Sequence, residues 1–103
     1  MEFSNDFKIV KDVADKLSND DLLHICNGTF EKSPYTKYRL CLVINNEGAG
    51  FVEIYNLPGE KYEFIVLAVN SKYRGNGYSQ ILLDKMFNNL NKKLWSEFTI
   101  TSL

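Results

Sequence analysis

A mixed α+β domain is what this sequence predicts, and three observations carry the prediction. The first quarter of the chain repeats its apolar residues at helical spacing, and the middle switches to strand-like runs broken by Asn/Gly and Pro/Gly turns. A loop with two glycines, "RGNG", then joins an apolar run to a second helical stripe. With 103 residues the chain is a single domain, 1–103, large enough for one modest core. Hydrophobic residues at 45% and aromatics at 14% favour a packed core over disorder.

The elements follow in order. "NDFKIVKDVADKL" sets Phe7, Val10, Val13, Ala14 and Leu17 on one helical stripe, with Asn5 or Asp6 able to cap its start. "SNDDLLHICNGTF" begins a second helix after Ser18. Ser18 and Asp21 are spaced like a capping box with Asp in place of Glu, and Asn27-Gly28 marks the end. Ser33-Pro34 lies in a loop. "YRLCLVI", Tyr38 to Ile44, and "FVEIYNL", Phe51 to Leu57, read as the strands of a hairpin, with "NNEGAG" as its turn.

Beyond the turn "PGEK", the run Tyr62 to Val69 is nearly continuous in apolar residues, as in a central strand covered on both faces. Alternation puts Glu63 on the face of Ile65, Leu67 and Val69. After the glycine loop, Ile81, Leu82, Lys85, Met86, Leu90 and Leu94 fit helical spacing, with Leu83 and Phe87 widening the stripe. "FTITSL" reads as a closing strand.

Composition excludes several function classes. A net charge of −1 with dispersed basic residues argues against a dedicated nucleic-acid binder. The two cysteines, Cys26 and Cys41, lack zinc-site spacing, so no metal site is expected; both read as core residues of a reducing, cytoplasmic protein. "MEFSNDFKIV" lacks the basic and apolar regions of a signal peptide, and no apolar run is long enough to span a membrane.

A strand, a short glycine loop and a helix make a ready anion site. Free amides at the helix N-terminus point outward, the helix dipole favours negative charge, and Lys72 and Arg74 add positive charge nearby. A P-loop requires Lys-Ser or Lys-Thr after its last glycine, where this chain has Tyr78-Ser79. A dinucleotide fingerprint requires a third glycine where this chain has Gln80, and more βα units than the chain holds.

"LAVNSKYRGNGYSQILLDKM" resembles the acetyl-CoA motif of the GNAT (GCN5-related) N-acetyltransferases, Gln/Arg-x-x-Gly-x-Gly/Ala. The match is Arg74-Gly75-Asn76-Gly77-Tyr78-Ser79, with serine at the last small position and without the proline common in this turn. The resemblance implies a GNAT-like fold: a central, mostly antiparallel sheet, two N-terminal helices and one helix after the pyrophosphate loop. It implies acetyl-CoA as cofactor, its pyrophosphate on the backbone of Arg74, Gly75, Asn76, Gly77, Tyr78 and Ser79. Its pantetheine arm would lie against the backbone of Leu67, Ala68 and Val69, on a strand that is splayed in this family. The acceptor amine would attack directly, with no acyl-enzyme.

Direct attack needs a base. Glu63 is the first candidate, since a glutamate near this position serves as base in some family members; Glu53 on the neighbouring strand is second. His24, the only histidine, is expected to pack or face water. Tyr78 is the candidate acid for the departing thiolate. Typical members continue past the fifth strand into a further helix and two strands, so the resemblance implies a member truncated there. "FTITSL" would then be an open edge, to be covered by a homodimer or a partner protein. The acceptor wall is expected around residues 28–37. The reading from sequence is therefore an N-acetyltransferase acting on an amine of a protein or small molecule. The alternative is a non-catalytic module of the same fold that binds a partner, with or without CoA.

Overall fold

The computed structural model describes residues 1–26, 32–90 and 98–102. Along the chain run β1 (Glu2–Ser4), α1 (Phe7–Asp15), α2 (Asn19–Cys26), β2 (Thr36–Ile44), β3 (Glu47–Tyr55), β4 (Glu63–Val69), α3 (Tyr78–Leu90) and β5 (Phe98–Ser102). The strands form one sheet in the order β1-β2-β3-β4-β5. The first three pairings are antiparallel and β4–β5 is parallel. This α+β architecture is the predicted one, and among the described residues β1 and β5 are its edges.

Each helix forms where its cap and stripe dictate. Asp6 caps α1, its side chain accepting from the Lys8 amide at 2.9 Å. Ser18 caps α2 by accepting from the Asp21 amide at 3.1 Å. Val10, Val13 and Ala14 of α1, with Leu17 just beyond its end, pack on Cys41, Phe51, Val66 and Ala68 on one face of the sheet. On the other face Leu82, Leu83 and Met86 of α3 pack on Leu42, Val52, Ile65 and Leu67. Full burial of Leu82 or Met86 contributes about 2 kcal/mol. β4 is covered on both sides, Val66 and Ala68 facing α1 while Ile65, Leu67 and Val69 face α3.

Two strand assignments from sequence need correction. β1 was not expected. Its three residues carry too little alternation to read, and pairing with β2, Phe3 opposite Leu42, creates the strand. β3 begins at Glu47, four residues earlier than predicted, so most of "NNEGAG" is strand. The turn itself is Asn45-Asn46, with φ of 51° and 60°, as a two-residue hairpin turn requires. Gly48 and Gly50 serve packing instead. A Cβ on Gly48 would come within 2.9 Å of Asp12 and Val13, and one on Gly50 within 2.9 Å of the Ala68 carbonyl oxygen.

The Asn27-Gly28 helix stop and Leu94 lie outside the described residues, as do parts of the expected acceptor wall. No helix among the described residues is long and apolar enough to cross a membrane.

Candidate active site

The loop after β4 is built by side chains that hold backbone in place. Asn70 is buried at 3% exposure. Its carbonyl oxygen Oδ1 accepts from the Lys72 amide at 3.1 Å, and its Nδ2 donates to the Gly48 carbonyl and to Glu47, each at 3.2 Å. A single 3-10 turn, Ser71–Tyr73, follows. The Arg74 guanidinium then folds back, Nε donating to the Val69 carbonyl at 2.9 Å and a terminal nitrogen to Asp21 of α2 at 3.1 Å. Asn76 Nδ2 donates to the Tyr73 carbonyl at 3.0 Å. Sequence reasoning missed Asn70, Glu47 and Asp21 as supports; only Asn70, polar at the end of an apolar strand, gave a local signal.

Gly75 and Gly77 have φ of 84° and 79°, a region side-chain-bearing residues rarely adopt. Apart from each glycine's own chain neighbours, no described atom lies within 4 Å of where a Cβ would stand on either, so both glycines face open space. The hydrogen-bond ladder of α3 opens with the Ile81 amide donating to the Gly77 carbonyl at 3.2 Å. The amides of Tyr78, Ser79 and Gln80 therefore lie ahead of the ladder, at the positive end of the helix. Val69, Tyr73, Arg74, Gly75, Gly77, Tyr78 and Ser79 line a cavity of about 140 Å³ here. Open backbone, unused amides and a small concavity fit a pyrophosphate group.

The positive charge beside the loop is distributed differently from the expectation. Lys72 Nζ pairs with Glu47 at 3.0 Å, and Arg74 pairs with Asp21. The hydrogen bond from Lys72 lowers the Glu47 pKa, and the one from Arg74 lowers that of Asp21. The two cations organise the loop, leaving backbone amides to meet an anion. The Tyr78 ring stands edge-on to Tyr73, centroids 6.3 Å apart, and packs against the α3-side core.

β4 and β5 are paired from Glu63 opposite Phe98 to Leu67 opposite Ser102. Of the three backbone positions expected to face a pantetheine arm, Leu67 is thus in register with β5. Ala68 and Val69 run on beyond the described pairing.

Glu63 opens β4, where Lys37 Nζ donates to its Oε1 at 2.7 Å. Six residues separate it from Val69, roughly 20 Å of strand. Glu63 and Tyr78 therefore sit at opposite ends of β4, and the structure does not bring them to one reacting centre. Glu53 lies on the α1-side face, 1% exposed, accepting from Arg39 Nε at 2.9 Å and from the Tyr55 hydroxyl at 2.7 Å. Cys41 is fully buried, and burial raises its pKa to about 12, which keeps the thiol protonated. His24 is exposed on α2.

Residues 7–98 match the family described as the Acetyltransferase (GNAT) family. Among solved structures, the chain is similar to a ribosomal-protein-alanine N-acetyltransferase from Brucella melitensis biovar Abortus 2308. That match has 16% identity and a TM-score of 0.58, covering 99% of this chain and 79% of the other. It is also similar to an aminoglycoside acetyltransferase from an uncultured soil metagenomic sample, at 15% identity and a TM-score of 0.56, covering 97% and 79%. A second soil metagenomic aminoglycoside acetyltransferase, in complex with sisomicin, matches at 10% identity and a TM-score of 0.52, covering 96% and 74%. A comparison with curated proteins gives no match. At these identities the structural likeness speaks for the fold, and the family match carries the assignment: spanning nearly the whole chain, it makes this protein a member of the GNAT acetyltransferase family.

Proposed function

We propose that the protein is an acetyl-CoA-dependent N-acetyltransferase that acetylates an amine by direct attack. The observation that carries this reading is the loop of residues 74–79, with two open positive-φ glycines and the free first-turn amides of α3. These amides would hold the pyrophosphate of acetyl-CoA, and the strand backbone at Ala68 and Val69, beyond the described pairing with β5, would orient its pantetheine arm. When bound, acetyl-CoA supplies an activated acyl group as a thioester.

The chain's own residues would do the rest. The amine nitrogen of the acceptor bonds to the acetyl carbon as the C–S bond breaks, and the sulfur leaves as thiolate. The acceptor's ammonium gives one proton to the Glu63 carboxylate before attack, and the second N–H proton leaves with the thiolate as the CoA thiol. Glu63 is half-buried beside Lys37, whereas Glu53 is held by Arg39 and Tyr55 in the core. Tyr78 supports cofactor binding in this reading, since it lines the loop cavity with Val69, at the end of β4 remote from Glu63. Among the described residues β5 is a sheet edge, and it would pair with a second copy or a partner protein, which solution scattering would test.

Binding is the first test. A hundredfold excess of acetyl-CoA over its Kd stabilises by about 2.7 kcal/mol, which raises Tm by roughly 10 °C in a domain of this size. No shift would overturn the cofactor. A shift without CoA release from any of a panel of amines would leave a CoA-binding module in place of the enzyme.

A further inference from the structure

The end of the sheet remote from the glycine loop carries a second set of groups. β2 and β4 are both antiparallel to β3, so their N-termini open at this same end. There Lys37 of β2 and Glu63 of β4 form the 2.7 Å ion pair, with side chains 53% and 26% exposed. Lys37 links Glu63 to an open groove of about 410 Å³, which Lys37, but not Glu63, lines together with Asn5, Lys32, Ser33, Thr36, Tyr38 and Arg39. It follows the part of the β2 edge that β1 leaves uncovered, since β1 pairs only with residues 41–43. Tyr35 and Tyr62, both substantially exposed rings, stand just ahead of the two strands. Arg39 is already matched to Glu53, which leaves Lys32 and Lys37 as the groove's accessible cations.

We propose that this groove is the acceptor subsite, and that it selects an amine with a neighbouring carboxylate, as in an amino acid or a short peptide. The inference rests on the reading of Glu63 as base and adds the class of acceptor. An acceptor arrives as an ammonium ion and must approach the Glu63 carboxylate, where Lys37 already stands. Two cations at one carboxylate oxygen repel, so the ammonium has to displace the Lys37 amine. A carboxylate on the acceptor gives the displaced Lys37 a new partner, with Lys32 beside it. The exchange then conserves ion pairs, whereas a neutral or cationic acceptor leaves Lys37 uncompensated. The long lysine stem permits the swing, and the exposed rings of Tyr35 and Tyr62 offer apolar cover for a bound chain.

The test compares acetylation of glycylglycine with that of glycylglycinamide, identical except for carboxylate against carboxamide. The expected result is a kcat/KM about tenfold higher for the free acid, carried mainly by KM. Lys37→Met should abolish that preference, and Lys37→Arg should retain most of it. Equal rates for the two peptides in the native protein, or an undiminished preference in Lys37→Met, would overturn the inference. If acetyl-CoA stabilises the protein and neither peptide releases CoA, the inference also falls while cofactor binding stands. If acetyl-CoA gives no stabilisation, the enzyme reading itself fails. Glycylglycine binding titrated by NMR, in the native protein against Lys37→Met, then decides the groove separately: loss in the variant supports it, and no binding overturns it.

Discussion

The Arg74 guanidinium donates to the carbonyl oxygen of Val69, five residues earlier, at 2.9 Å. That bond closes the loop on itself, and the second one, to Asp21, ties the loop to α2. A residue that motif matching assigns to the cofactor thus acts first on the backbone. Arg74→Gln should lower acetyl-CoA affinity about tenfold and lower Tm by roughly 5–10 °C, because charged hydrogen bonds of this kind contribute about 1.5 kcal/mol or more. Titration calorimetry checks it, and unchanged affinity would remove the staple from the account.

Gly77 separates conformation from access. Gly77→Ala forces a side-chain-bearing residue to φ near 79°, at a stability cost of about 1–2 kcal/mol. Asn tolerates this region better, so Gly77→Asn should melt close to the native protein. Its side chain would fill the open space above the loop and suppress acetyl-CoA binding. Thermal melts with and without acetyl-CoA distinguish the two effects.

Glu63→Gln keeps the shape and removes the base. A positioned general base contributes about 10²–10⁴ in rate, so kcat should fall by that order. The acetyl-CoA thermal shift should persist, since the loop lies roughly 20 Å away along β4. An unchanged pH–rate profile would move the base elsewhere.

Arg39 and Glu53 test the core. Arg39→Ala leaves a carboxylate with 1% exposure without its cation and should cost about 3 kcal/mol. The double variant Arg39→Met/Glu53→Leu should recover most of that loss, because no buried charge remains. Chemical denaturation of the three proteins reads the difference.

Acid should loosen the loop's supports. The pKa values of Asp21 and Glu47 are lowered from ordinary values of 3.8 and 4.5 by hydrogen bonds from Arg74 and Lys72. A lowered folded-state value means that the stabilisation is complete above the ordinary value and lost as pH falls through the lowered one. Tm should therefore drop on acidification below the ordinary range, and Glu47→Gln should flatten part of that slope. A variant that reproduces the native acid profile would assign the slope to other carboxylates.

By itself the sequence determined the elements whose signal is local. The α1 stripe with its cap at Asn5 or Asp6, the continuous apolar run of β4 and the Arg74–Ser79 motif were all legible, because period, cap and backbone conformation are encoded by near neighbours. From these the fold class and the glycine loop followed. Only the tertiary structure decided the rest. β1 exists because β2 offers it an edge; Gly48 and Gly50 are strand because they pair with β2, and they are glycine because α1 and β4 approach too closely for a Cβ. The partners of Arg74 and Lys72 were equally invisible: Asp21 lies 53 residues from Arg74, and Glu47 lies 25 from Lys72. Which carboxylate a cation meets depends on how distant elements pack, and that packing also turned Glu53 into a core residue and set Glu63 beside Lys37.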